Sequence, residues 1–201
     1  MNKRIPTQKR SIEKRDKIIK IGFKLMCEKG YYNTNTVEIA KEAGVSTGIV
    51  YQYFDDKKDI FLEGVKNYSN NILYPVLDVL DNKKITNKNL EDTLNTIIDK
   101  FINTHNMSKK AHEELMAMSH LDEDISNIFK ENEIDITKKI VISLKNNNIN
   151  LDNAYEKIHI IYGMIDNLCH EIVYHNHDLI NYDVMRNEVI KIIIDILKKY
   201  I

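Results

Sequence analysis

Residues 30 to 61 read GYYNTNTVEIAKEAGVSTGIVYQYFDDKKDIF, and the fold turns on how this stretch is punctuated. Gly30 closes a helical pattern running from about Ser11 to Glu28, in which Ile12, Ile19, Phe23 and Met26 recur at near-helical spacing. Thr36 offers an N-cap hydroxyl to a short helix carrying Val37, Ile39, Ala40 and Ala43, and Gly44 stops it. Two residues on, Ser46 offers the cap of the next helix, with Ile49, Val50, Tyr53 and Phe54. Asp55 and Asp56 open a fourth helix, with Ile60, Phe61 and Val65 on its apolar side. A helix of about seven residues, a glycine-containing break and a second short capped helix have the shape of a helix-turn-helix. Thr47, Gly48, Tyr51 and Gln52 are left as the polar edge of the second helix. Such an edge can enter a major groove while a basic first helix lies near phosphates.

Charge supports that placement. The chain carries 29 Lys+Arg and 30 Asp+Glu, a formal net charge of −1. Residues 1 to 54 hold 11 bases against 5 acids, a net of +6, which leaves −7 for the other 147 residues. Eight of those bases (Lys3, Arg4, Lys9, Arg10, Lys14, Arg15, Lys17 and Lys20) fall in the first 20 residues. All seven histidines lie beyond residue 100. A basic small segment joined to an acidic larger one suggests nucleic acid at one end and another task at the other. A merely solvated helix face would give the same charge pattern, so charge by itself leaves both open.

Composition narrows the fold class. Average usage would supply roughly 14 Gly and 10 Pro in a chain of this length, against 6 and 2 here. Few turn residues imply few, long elements, hence an all-α fold rather than a sandwich or barrel of short strands. Cys27 and Cys169 lie far apart, without CxxC or Cys/His spacing, which argues against a disulfide scaffold and a zinc finger. There is no run of 18 apolar residues, and the charged N-terminus lacks the apolar core of a signal peptide. A cytoplasmic location without membrane association is expected.

The 30–61 stretch strongly resembles the signature of TetR-type transcriptional regulators. The resemblance rests on Gly30-Tyr31, Thr36-Val37, Ile39-Ala40, Ala43-Gly44-Val45-Ser46, Gly48, Tyr51, Phe54 and Lys57, and covers roughly residues 11 to 61. It implies that Thr36, Ser46, Thr47, Tyr51, Tyr53 and Lys57 stand where the family usually meets DNA. Many relatives carry His where this chain has Tyr53. The physical reading agrees at most positions. Helix-start N–H groups at Thr36 and Ser46 can hold phosphate oxygens. Gly48 lets the backbone approach closely, and the Gln52 amide can pair with the N6 and N7 edge of adenine. Lys57 suits a phosphate clamp, whereas Thr36 and Ser46 also read as plain caps, and Tyr53 as core.

The expected division is a helix-turn-helix head over residues 1–56 and a helical effector-binding and dimerisation domain over 57–201. Helical patterns continue to about Val79, with Pro75 as a kink or end, and then cover about 88–105, 109–120, 123–146, 153–176 and 183–200. Asn- and Asp-rich gaps such as Asn146-Asn147-Asn148 suit surface turns. The last two stretches are broadly apolar (Ile158, Ile161, Ile165, Leu168 and Ile172; then Val184, Ile190, Ile193, Ile194 and Leu197) and need partners on more than one side. The resemblance implies that they pair across a homodimer, which would set two reading helices about 34–36 Å apart on a palindromic operator.

Pocket chemistry is the faintest signal. Tyr68, Phe101, Met116, Met118, Phe129, Tyr162 and Met164 are bulky or adaptable enough to line an apolar cavity, although such residues at helical spacing also make ordinary core. His159, Asp166, His170 and His177 fall near one line on a helix; Asp166 and His170, at i and i+4, could share a metal or a ligand group, and His105 is a further candidate for the pocket. A solvated or interface stripe is the plainer reading, and neither metal nor cofactor is expected. No nucleophile elbow, P-loop or HExxH occurs, so an enzyme is not expected. The reading that follows is a homodimeric repressor released from duplex DNA by a small molecule. An activator or partner-controlled regulator with the same head, and a helical carrier, are the alternatives.

Overall fold

A computed structural model of the chain describes residues 7–105 and 107–201, apart from the side chains of residues 72–74. The described residues form helices and no strand: α1 (Lys9–Lys29), α2 (Thr36–Ala43), α3 (Thr47–Tyr53), α4 (Lys57–Asn82), α5 (Leu90–Thr104), α6 (Lys109–Leu121), α7 (Glu123–Asn146), α8 (Ala154–Val173) and α9 (Tyr182–Leu197). They divide into two compact units, Met1–Ser69 with Met107–Phe129, and Asn70–Asn106 with Lys130–Ile201.

In the first unit α1 packs against α2, α3 and α6. Ile18, Met26, Ile39, Val50, Phe61 and Leu115 are among its core residues, each fully or nearly fully buried. At roughly 1.5–3 kcal/mol per buried large apolar side chain, this shared core holds the short α2 and α3, which would be unstable alone. Two glycines set the approach of α1 to α4. A Cβ on Gly22 would stand 2.6 Å from the Ile60 side chain, and one on Gly64 would stand 2.5 Å from Phe23 Cβ.

Local chemistry accounts for the helix ends. Asn35, not Thr36, caps α2: its extended backbone lets the side-chain oxygen accept from the Glu38 N–H at 2.9 Å. Asn is a stronger N-cap than Thr, and Thr36 becomes the first helical residue. Gly44 ends α2 at φ +69°, and the Val45 N–H returns to the Ala40 carbonyl at 3.0 Å, the Schellman pattern. Ser46 caps α3 as expected, accepting from Ile49 N–H. At the start of α4, Asp56 accepts from the N–H groups of Lys58 and Asp59, while the Asp59 carboxylate reaches back to Asp55 N–H at 2.7 Å. The helix runs on through Pro75 to Asn82. Proline removes one N–H, and Asn71, whose carbonyl loses that donor, is exposed.

In the second unit α5, α8 and α9 pack on one another. Their apolar faces bury Ile98, Ile158, Leu168 and Ile193. Arg186 clips α9 to α5 with three bonds, to Asp99 at 2.7 Å and to the side chain and carbonyl of Asn95 at 3.0 Å. The predicted turn at Asn146–Asn148 is present. Asn148 takes the left-handed conformation (φ +63°), and Asn147 bonds Ile85 N–H and the Leu80 carbonyl. Among the described residues no helix is long and apolar enough to cross a membrane.

Candidate nucleic-acid interface and polar cluster

The short α3 has two sides. Val50 and Tyr53 face the core, whereas Gly48, Tyr51 and Gln52 are exposed and Thr47 is half-buried. The predicted polar edge therefore lies on the open side of the helix-turn-helix. A Cβ on Gly48 would meet nothing closer than Ser46 Oγ at 3.9 Å, so this glycine is not required by packing within the chain. Tyr53 is 7% exposed and stacks edge-on with Phe54, which places its ring in the core.

Along α1, Lys9, Arg10, Lys17 and Lys20 are exposed. The Lys17 ammonium lies near Gly44, at the break between α2 and α3. Lys3 and Arg4 lie outside the described residues. Arg15 is tied inward, 3.3 Å from Glu63 and over the Phe54 ring.

Lys57 carries a role that its sequence position does not disclose. Its ammonium donates to the carbonyls of Tyr31 at 2.7 Å and Thr34 at 2.8 Å, and lies 4.5 Å from the Tyr31 ring centre. It thus neutralises backbone dipoles in the loop that joins α1 to α2. Tyr31 N–H in turn donates to Glu114 of α6 at 2.7 Å. The loop leading into the helix-turn-helix is held by charge-assisted bonds, the stronger kind.

The second unit holds two features. The first is an apolar cavity of about 60 Å³ lined by residues including Val76, Leu80, Phe101, Ile140, Tyr162 and Ile193. The second is a polar cluster. His105, at the C-terminus of α5, meets Asp166 and His170, one turn apart on α8, with potential ligand atoms all within 4.8 Å of one another. His105 is buried, and its Nδ1 lies 2.7 Å from the Phe101 carbonyl. The His105 and His170 rings meet edge-on at 5.1 Å, and His170 Nδ1 is 3.6 Å from Asp166 Oδ2. Burial lowers the pKa of both imidazoles and raises the Asp166 carboxyl to about 6, against a smaller opposing pull from His105. Both histidines therefore favour the neutral form.

The structure thus joins Phe101 and Tyr162 at the cavity and His105, Asp166 and His170 in the cluster. Tyr68, Met116 and Phe129 pack instead against the core of the first unit, as Met118 does within it. The linear histidine stripe separates: His159 is exposed with Nδ1 3.4 Å from Thr137 Oγ1, and His177 lies 3.4 Å from Glu171. Sequence reasoning saw His105 and the α8 pair separately. Their convergence depends on α5 packing beside α8, which no local spacing announces. Cys27 and Cys169 are buried thiols pushed up to about 12, largely by desolvation, and so remain protonated.

Residues 18–63 match the family of bacterial regulatory proteins of the tetR type. The HTH-type transcriptional regulator HbdR of Aromatoleum sp. (strain CIB) is 53% identical over 55 residues, 27% of this chain and 24% of that protein. The negative transcriptional regulator IcaR of the icaADBC biofilm operon in Staphylococcus aureus (strain Newman) is 40% identical over 62 residues, 29% of this chain and 33% of that one. These curated relatives are matched over no more than a third of their own length. Solved structures extend the likeness in fold. One assigned to the TetR family from Mesorhizobium loti has a TM-score of 0.74 at 18% identity, covering 94% of this chain and 98% of its own. The fatty acid degradation regulator FadR of Bacillus halodurans has a TM-score of 0.64 at 17% identity, covering 94% and 96%. The chain thus carries a tetR-type domain at residues 18–63 and has the fold of these solved structures over nearly its whole length.

Proposed function

We propose that the protein is a homodimeric repressor that binds a palindromic operator in duplex DNA and is released by a small molecule bound in its second unit. The observation that carries the DNA reading is the open edge of α3, where Gly48, Tyr51 and Gln52 are exposed and Thr47 half-exposed, in a unit whose α1 exposes Lys9, Arg10, Lys17 and Lys20. Gln52 reads a base, while Ser46, Thr36 and the α1 lysines position the backbone. Residues 1–56 serve as the reading head and 57–201 as the effector-binding and dimerisation part, in the cytoplasm. Exposed apolar side chains on α8 and α9 (Tyr155, Ile160, Val184 and Ile192) favour a second copy as partner.

Release is a population shift. A 1:99 to 99:1 swing needs a ligand preference of about 5.5 kcal/mol for the released form. Helix α4 is the proposed lever, because Lys57 holds the loop before α2 at its start, while Val76 and Leu80 line the cavity near its end. The cavity, about 60 Å³, is well below the volumes of roughly 300–1,000 Å³ usual for ligand sites, so binding must widen it. That small volume also favours a second reading, a regulator controlled by a protein partner rather than by a small molecule.

Selection of a random duplex pool by the purified protein at several salt concentrations tests the first reading. One recovered palindrome, with affinity falling steeply as salt rises, is the expected result. Failure to enrich any sequence at low salt would sink the operator reading. Gln52→Ala should relax discrimination at one base pair in each half-site, and unchanged discrimination would refute its role as reader.

A further inference from the structure

We propose that His105, Asp166 and His170 form a binding site for a divalent first-row transition metal ion, with one ion per chain. Three observations bring the donors together. Asp166 and His170 stand at i and i+4 on α8 and so share a face, and His105 closes α5 against them. Their donor atoms all lie within 4.8 Å of one another. In a tetrahedral site with bonds of about 2.1 Å the donors stand about 3.4 Å apart, so small side-chain rotations bring this set into coordination distance.

The orientation of His105 gives the second argument. With Nδ1 2.7 Å from the Phe101 carbonyl, the ring donates its proton there and leaves Nε2 as the lone-pair atom. A backbone carbonyl holding the other nitrogen of an imidazole is the usual support of a metal-ligating histidine. That bond is present in the protein itself, so the ligand is set before any ion arrives.

Donor chemistry selects the ion. Two imidazoles and one carboxylate suit Zn²⁺, Co²⁺, Ni²⁺ or Fe²⁺, whereas Mg²⁺ and Ca²⁺ prefer all-oxygen surroundings. Three protein ligands leave at least one position for water or for an oxygen or nitrogen atom of a further ligand. The proposal is independent of DNA binding and of the repressor reading, because the ion is held within one unit by residues absent from the α3 edge.

The full-length chain, dialysed against chelator, should be titrated with Co²⁺ under anaerobic conditions while the visible d–d bands are recorded. Bands saturating at one Co²⁺ per chain, and displaced by one equivalent of Zn²⁺, are expected. Asp166→Asn, His170→Gln and His105→Gln should each weaken Co²⁺ binding tenfold or more, with folding checked by far-UV circular dichroism. The Asp166→Asn change is nearly isosteric and keeps the test open if a histidine variant unfolds. His177→Asn should leave the titration unchanged, although it removes a second His–carboxylate pair, His177 with Glu171. No uptake at 100 µM Co²⁺, or uptake lost in His177→Asn but kept in folded Asp166→Asn, would overturn the assignment.

Discussion

The two units of this molecule use their inner polar groups to opposite ends. In the first, Lys57 is committed to two backbone carbonyls and Arg15 to Glu63 and the face of Phe54. These bonds fix the frame around α3, whose outer edge is exposed. In the second, His105, Asp166 and His170 face one another close to a small apolar cavity that shares Phe101 with His105 as a neighbour. Asp166 is half-buried there and partly desolvated, which raises its carboxyl to about 6, and a bound cation would favour its charged form. In one unit the polar groups tie the backbone together. In the other they face one another.

The rigidity of the first unit can be broken most severely at the crossing of α1 and α4. Gly64→Ala places a methyl 2.5 Å from Phe23 Cβ, backbone-proximal atoms that cannot swing aside. The expected cost is about 1–3 kcal/mol, read as a lowered Tm in thermal melts. An unchanged Tm would mean that the helices separate freely and that the frame is soft. Lys57→Met comes next. Removing the ammonium leaves the Tyr31 and Thr34 carbonyls without their donor, a loss of about 1–2 kcal/mol. The salt dependence of duplex binding then separates two roles. A lysine that only holds the loop leaves the slope of log K against log salt intact, and this is the expected outcome. One that also neutralises a phosphate reduces that slope by about one.

Gly48→Ala sharpens the contrast from the other side. The position has room, so the helix should gain up to about 1 kcal/mol from the better helix former. If α3 lies in the groove as proposed, duplex affinity should nonetheless fall about tenfold, because the added methyl would stand where the backbone approaches DNA. A variant that is more stable and binds as before would place Gly48 outside the interface.

The same contrast explains what was legible in the sequence. Helix ends are written in local chemistry, so Gly30, Gly44 and Ser46 announced α1, α2 and α3, and the binary pattern gave the later helices to within a few residues. The Asn35 cap was missed because Thr36 beside it is also a capping residue, and only backbone geometry separates the two. The inward role of Lys57 was hidden because its acceptors are carbonyls, which every residue has. The polar cluster was half visible: the i and i+4 pair is a local signal, but the third member arrives by tertiary packing. Aromatic and Met residues gave the least information. Phe101 and Tyr162 line the cavity while Tyr68 and Phe129 pack in the first unit, and nothing in their spacing tells these fates apart.

The smallest effect, and the one that tests electrostatics in the first unit most directly, concerns Lys58. Its ammonium lies 2.8 Å from Asp122 and 2.7 Å from Asp124, and Asp122 also caps α7 by accepting from the N–H groups of Asp124 and Ile125. The Lys58 hydrogen bond holds the Asp122 carboxyl below its ordinary value, with the Ile125 N–H adding to the effect. A carboxyl whose pKa is lower folded than unfolded contributes its stability above the unfolded value of about 3.9, and loses it as pH falls through the folded one. Lys58→Met should therefore lower Tm slightly and evenly between pH 7 and pH 5. The gap from the unsubstituted protein should then close below about pH 4, as Asp122 and Asp124 become protonated in both. The pair is partly exposed, so raised salt should shrink the gap at pH 7 as well. A gap that persisted unchanged at pH 3 would show that Lys58 acts through the packing of its stem rather than through its charge, and the α4–α7 tie would then belong with the apolar contacts of the unit.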